Sequence, residues 1–163
     1  MSLSRNLCAK DIMTHQVLMA YEGWSIQRLI EFFSKHSISG APVIASDHAL
    51  VGVVSVTDII NFAGSSDENK TNLLKEVYSE FVGYEFDEAF THSIASEAAK
   101  QCTVNQIMTK DILRIDEKTR IAAIATLMLD NEVRRIFVTK NGIVSGVIST
   151  SNMLKAINQI ELI

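Results

Sequence analysis

Ser55, Thr57 and Asp58 lie close together in the stretch GVVSVTDII, residues 52–60. Two hydroxyls and a carboxylate at this spacing suit a sugar phosphate. A carboxylate can accept hydrogen bonds from two vicinal hydroxyls, as acidic residues do with ribose in dinucleotide sites. Hydroxyls beside a helix N-terminus attract a phosphate. Asp58 is therefore a candidate for a ribose, with Ser55 and Thr57 on ribose or phosphate oxygens. Arg134-Arg135, at the start of a strand, offer forked donors for the phosphates. A plainer reading makes the same residues helix caps, because Ser, Thr, Asp and Asn satisfy the free N–H groups of a first turn. One good cap would suffice for that, so it leaves the second hydroxyl and the third polar group without a role.

The elements that must position these residues are written twice. GVISTSNML, residues 146–154, echoes the first stretch, with Asn152 in place of Asp58. Ile12-Met13-Thr14 recurs as Ile107-Met108-Thr109, and the copies keep phase except at a hairpin loop that is one residue shorter in the second. Such a pattern is a duplicated structural unit. Each copy reads as strand, helix, strand, strand, helix. The first helix starts after Ser25, with Ile26, Leu29, Ile30 and Phe33 on one stripe; its counterpart starts near Thr119, with Ile121, Ile124, Ala125 and Met128. Strands are expected over 42–45, 50–54, 136–139 and 143–148. Asn141-Gly142 favours a type I′ turn in the second hairpin. The single proline, Pro42, is placed at the start of its strand. Short helices from Asp58 to about Ala63 and from Asn152 to about Gln159 close the copies.

The expected fold class is α/β (α+β). Two β-α-β-β-α repeats, 1–62 and 103–163, would pack sheet to sheet about a pseudo-twofold axis, since neither can bury its apolar face alone. Residues 63–102 are expected to form a helical connector. It begins with a polar loop at 64–70, followed by a stripe of Leu73, Leu74, Val77, Tyr78 and Phe81 and a weaker helix over about 87–100.

Composition narrows the function. Hydrophobic residues make up 47% of the 163-residue chain, enough for a core, and the net charge of −4 argues against a nucleic-acid partner. No apolar run is long enough for a membrane span and no signal peptide is evident, so a cytoplasmic protein is expected. Cys8 and Cys102 read as free thiols, and the histidines at 15, 36, 48 and 92 are too scattered for a metal site. No catalytic pairing, P-loop or Rossmann fingerprint occurs, so no enzyme and no required cofactor are expected.

DIMT, an amphipathic helix, SISGAPVI and LVGVVSVTDII, followed by QIMT, VRRIFV and VSGVISTSNML, resemble two CBS domains, the repeat named after cystathionine β-synthase. Together they resemble a Bateman module, and the first copy is similar to repeats of the AMP-activated protein kinase γ subunit. The resemblance implies a regulatory sensor that binds AMP, ADP or ATP in two clefts between the repeats and acts on a partner in trans. It implies one cleft lined by Val53, Ser55, Thr57, Asp58, Ile112, Leu113, Arg134 and Arg135, with Val53 and a strand at Ile112-Leu113 flanking the adenine. The weaker second cleft would use Val17, Leu18, Val147, Ser149, Ser151 and Asn152. It further implies a homodimer, for which the stripes around Ile30 and Met128 are candidate surfaces. The alternatives are a structural homodimerisation module with vacant clefts and an S-adenosylmethionine sensor.

Overall fold

The computed structural model describes residues 6–63 and 100–161. The connector stripe at 73–81, its polar loop and the second connector helix lie outside the described residues. The chain forms two compact units. One comprises Met1–Leu18, His48–Leu50 and Leu113–Ile163; the other comprises Met19–Asp47 and Val51–Ile112. Each unit thus joins the sheet of one copy to the Ile-Met-Thr segment that leads the other copy.

The unit built on the first copy holds a three-stranded sheet of β1 (Ala20–Tyr21), β2 (Gly40–Ile44) and β3 (Leu50–Ser55) in that order. Strands β1 and β2 run parallel, with Ala20 opposite Val43. Helix α2 (Ile26–His36) begins as its sequence dictates, with the Ser25 Oγ accepting from the Arg28 N–H at 3.2 Å. It ends at Ser37, which takes a left-handed conformation. Ile26, Leu29, Ile30 and Phe33 are all buried, each stabilising the fold by about 1.5–3 kcal/mol relative to exposure. That burial removes Ile30 as a candidate subunit surface: the stripe is consumed by the core. Pro42 is the third residue of β2, not the first, and is buried. The short β1 pairs only with Val43 and Ile44, so on that side Pro42 has no ladder bond to lose. Helix α3 (Val56–Ala63) starts two residues before the expected Asp58. The short α4 (Val104–Ile107) belongs here too, and the Asn105 side chain donates to Glu22 Oε2 at 2.7 Å. Trp24 packs edge-on to Phe32 and carries the Arg28 guanidinium 4.6 Å above its ring.

The other unit holds β4 (Arg114–Asp116), β5 (Arg135–Lys140) and β6 (Ile143–Ser149), with β4 parallel to β5 and β5 antiparallel to β6. Asn141 and Gly142 both have positive φ, 52° and 80°, as a type I′ turn requires. The β5–β6 ladder slips at Val138/Thr139. Helix α5 (Ile121–Asp130) has Arg120, one residue past Thr119, as its cap residue, and the Thr119 N–H donates to Asp116 O in the turn before it. Ile124 and Met128 are buried in this unit's core, so Met128 is not a subunit surface either. Ile112-Leu113 is not a strand; it leads into β4, and Leu113 packs on the core beside it. Helix α6 (Thr150–Glu161) leaves Leu154 and Ile157 exposed. Helix α1 (Ala9–Ile12) is capped by Cys8, whose N–H and Sγ donate to Asp11 Oδ2 at 2.9 and 3.1 Å. These bonds pull the Asp11 carboxyl below the usual carboxylate value, while the carboxylate, with some burial, pushes the Cys8 thiol above the usual thiol value.

Both cysteines are free. Among the described residues no helix is long and apolar enough to cross a membrane, and no group of His, Cys, Asp and Glu is arranged to hold a metal ion.

Candidate ligand site at two strand-to-helix turns

In each copy a strand runs directly into a helix, and the serine at the junction is the cap. Ser55 ends β3, and its N–H and Oγ–H both donate to Asp58 Oδ2, at 2.8 and 3.2 Å. The carboxylate sits in the first turn of α3, where its charge suits the positive end of the helix dipole. The next amide, Val56 N–H, donates to Ser39 O at 2.9 Å. Val53 spends its backbone N–H and C=O on Thr109, each bond 2.9 Å, so only its half-buried side chain is available to a ligand.

Ser149 ends β6 in the same way. Its N–H and Oγ–H donate to Asn152 Oδ1 at 2.9 and 2.7 Å, and Asn152 N–H returns a bond to Ser149 Oγ at 3.3 Å. Thr150 N–H donates to Arg134 O at 3.1 Å, and Val147 exchanges backbone bonds with Thr14 as Val53 does with Thr109. The helix-cap reading of these residues is therefore part of the structure in both copies.

The third polar residue differs between the turns. Asn152 Nδ2 also donates, to Ile12 O at 2.9 Å and to Thr14 Oγ1 at 3.3 Å. Asp58 has no donor to offer. Among the described residues its Oδ1 makes no hydrogen bond, and no buried side-chain oxygen or nitrogen lacks a partner, so Oδ1 faces the surface. The Thr57 hydroxyl, on a half-buried residue, is in the same position. Ile12 and Thr14 were not expected among the site residues; only the recurrence of Ile-Met-Thr in front of both copies signals them.

The expected residues divide between the units as follows. Val53, Ser55, Thr57, Asp58 and Ile112 belong to the unit of the first sheet. Leu113, Arg134 and Arg135 belong to the other, as do Val17, Leu18, Val147, Ser149, Ser151 and Asn152. The structure brings the two arginines to the Asn152 turn: Arg135 is opposite Ser149 in the β5–β6 ladder, and the Arg134 carbonyl holds Thr150. Both arginines and Ser151 are exposed, Val17 and Val147 are half-buried, and Leu18 is exposed.

The family model for the CBS domain matches residues 9–65 and 104–159. The uncharacterized protein MJ1426 of Methanocaldococcus jannaschii is 27% identical over 152 residues, covering 91% of this chain and 89% of that protein. CBSX1, a chloroplastic CBS domain-containing protein of Arabidopsis thaliana, is 28% identical over 140 residues, covering 84% of this chain but 57% of CBSX1. Among solved structures, CBSX2 from Arabidopsis thaliana matches with a TM-score of 0.69 at 22% identity, covering 97% of this chain and 99% of that one. CBSX2 in complex with AMP matches with a TM-score of 0.65 at 24% identity, covering 94% and 98%. With a CBS domain matched in each copy, the chain belongs to the CBS domain family and is a tandem CBS pair.

Proposed function

We propose that this CBS pair is a regulatory sensor that binds an adenine nucleotide, AMP, ADP or ATP, at the turn carrying Ser55, Thr57 and Asp58. It acts on a partner protein in trans and performs no catalysis of its own. The observation that carries the reading is Asp58 Oδ1, a carboxylate oxygen at the surface with no bond among the described residues, beside the Thr57 hydroxyl. Two vicinal ribose hydroxyls are donors of the kind such an oxygen lacks. The structure of CBSX2 with AMP supports adenine nucleotide as the ligand class. Val53 and Ile112, which belong to the same unit as Asp58, would line the base. Residues 1–62 and 103–163 serve as the two repeats, with 63–102 as connector, in a cytoplasmic protein.

Assembly as a homodimer with closed twofold symmetry completes the reading. Ile30 and Met128 are not available for it. Leu154 and Ile157 fall three positions apart on α6 and are 62% and 49% exposed, so one face of α6 can bury itself against the same face of a second copy.

Calorimetric titration with AMP, ADP, ATP and S-adenosylmethionine tests the function. One adenine nucleotide should bind the wild-type chain, and Asp58→Asn should weaken it by at least about tenfold, because the charged acceptor is lost. Binding of none of the four would leave the dimerisation module as the reading. Binding of S-adenosylmethionine alone would change the ligand class.

A further inference from the structure

Asn152 uses every hydrogen-bonding position its side chain has. A carboxamide offers two donors and an oxygen with two lone pairs. The oxygen takes Ser149 N–H and Oγ–H, and the nitrogen gives to Ile12 O and Thr14 Oγ1. Nothing is left for the two hydroxyls of a ribose. Asp58, at the equivalent position, spends one oxygen on Ser55 and keeps the other.

The choice between the two outcomes lies in the N–H₂ group. The Ile12 carbonyl accepts at 2.9 Å, and a carboxylate at position 152 would set oxygen against oxygen at that distance. The segments addressed are equivalent in the two units: Thr14 is bridged to Val147 as Thr109 is to Val53. The sockets match as well, with Met13 against Gly146 and Met108 against Gly52. The second turn therefore differs from the first by one added attachment, made by an amide where the first turn has an acid.

We propose that Asn152 is a specificity-determining latch: its carboxamide holds the Ile12–Thr14 segment in the place of a ribose, so that the chain takes one nucleotide, at the Asp58 turn. The one-nucleotide clause rests on the function proposed above; the latch itself does not. The latch requires an amide, so the two turns are interconvertible by exchanging acid and amide. Asn152→Asp keeps the acceptor that caps Ser149 but loses the donors, frees an oxygen and creates a second acceptor turn. Asp58→Asn gains donors toward the Ile107–Thr109 segment, which is bridged to Val53 as Ile12–Thr14 is to Val147.

The test combines amide hydrogen exchange at residues 12–14 and 107–109 with calorimetric stoichiometry for AMP. The wild type should bind one AMP per chain. Asn152→Asp and Asn152→Ala should both speed exchange of the Thr14 N–H by about tenfold, the cost of the lost bonds. Only Asn152→Asp should bring the stoichiometry toward two. Asp58→Asn should slow exchange at Thr109. If Asn152→Ala folds poorly, Thr14→Val removes the weaker of the two latch bonds and should speed exchange by a smaller factor. Two AMP bound per wild-type chain would overturn the exclusion, and unchanged exchange in the Asn152 and Thr14 variants would overturn the latch. No AMP bound to any form would defeat the sensor reading alone, since the exchange measurements need no ligand.

Discussion

The Met13 sulfur lies where a side chain on Gly146 would have to be. A Cβ built on Gly146 meets Met13 Sδ at 2.5 Å, its Cγ at 2.8 Å and the Thr14 carbonyl oxygen at 3.0 Å. In the other unit a Cβ on Gly52 meets Met108 Sδ at 2.5 Å, its Cγ at 2.9 Å and Thr109 O at 3.2 Å. These glycines are required by close approach, not by backbone conformation. Met13 and Met108 are buried in their units' cores, so each Ile-Met-Thr segment is plugged into a strand by its methionine.

Gly146→Ala and Gly52→Ala should therefore both destabilise the protein, by about 1–3 kcal/mol, as overpacking does. The methionine tip can move aside; the threonine carbonyl is backbone and cannot do so cheaply. Its closer approach at Gly146 makes Gly146→Ala the more costly of the two. Chemical denaturation of both variants checks the order, and equal stability to wild type would mean the segments are not seated in these sockets.

The caps carry a second expectation. Ser149 both donates to and accepts from Asn152, whereas Ser55 only donates to Asp58. Ser149→Ala removes both halves of a reciprocal cap and should cost about 1–2 kcal/mol; Ser55→Ala should cost no more than about 1 kcal/mol. Thermal unfolding of the two variants would show the difference, and a reversed order would contradict the cap geometry.

What could be read in advance follows the range of the interactions involved. The stripe of α2 and the Asn141-Gly142 turn are local patterns, and both appear as expected, down to the Ser25 cap and two positive φ values. The cap of α5 falls on Arg120, one residue past Thr119, and its side chain makes no cap bond, so residue type does not signal it. Strand β1 is only two residues long and gives no alternation to detect. The Ile30 and Met128 stripes are apolar as expected but face their own units' cores and not a second subunit, since periodicity says that a face is buried and not against what. Asn152 illustrates the limit at the site. Its cap to Ser149 is local, but its bonds to Ile12 and Thr14 span most of the chain, and no spacing rule reaches that far.

Light scattering addresses the subunit contact. The wild type should be a dimer at tens of micromolar, and Leu154→Lys with Ile157→Lys should yield a folded monomer. Both positions are exposed within the chain, so charge there should cost the fold little. A wild-type monomer would remove the dimer, and a dimer that survives both substitutions would move the contact away from α6.

The Cys8–Asp11 pair predicts how the first helical turn responds to pH. The carboxyl of Asp11 titrates below its usual range because Cys8 N–H and Sγ donate to the ionised form. A depressed folded value means that the contribution is present above the usual carboxylate range. It is lost as pH falls through that range toward the depressed value. The Cys8 thiol is displaced upward, because Asp11 accepts from the protonated thiol and opposes its charge. Its contribution is complete below the usual thiol value and is lost as pH rises through the raised one. Hydrogen exchange of the α1 amides, taken relative to the intrinsic rate at each pH, should therefore be slow between the two ranges and faster on either side. The turn is near the surface, so the effects should be small and local. Cys8→Ser keeps a donor for Asp11 that does not titrate, and it should abolish the alkaline rise while leaving the acid one. Asp11→Asn keeps a neutral acceptor and should flatten the acid side. An alkaline rise that persists in Cys8→Ser would assign it to a group other than the thiol.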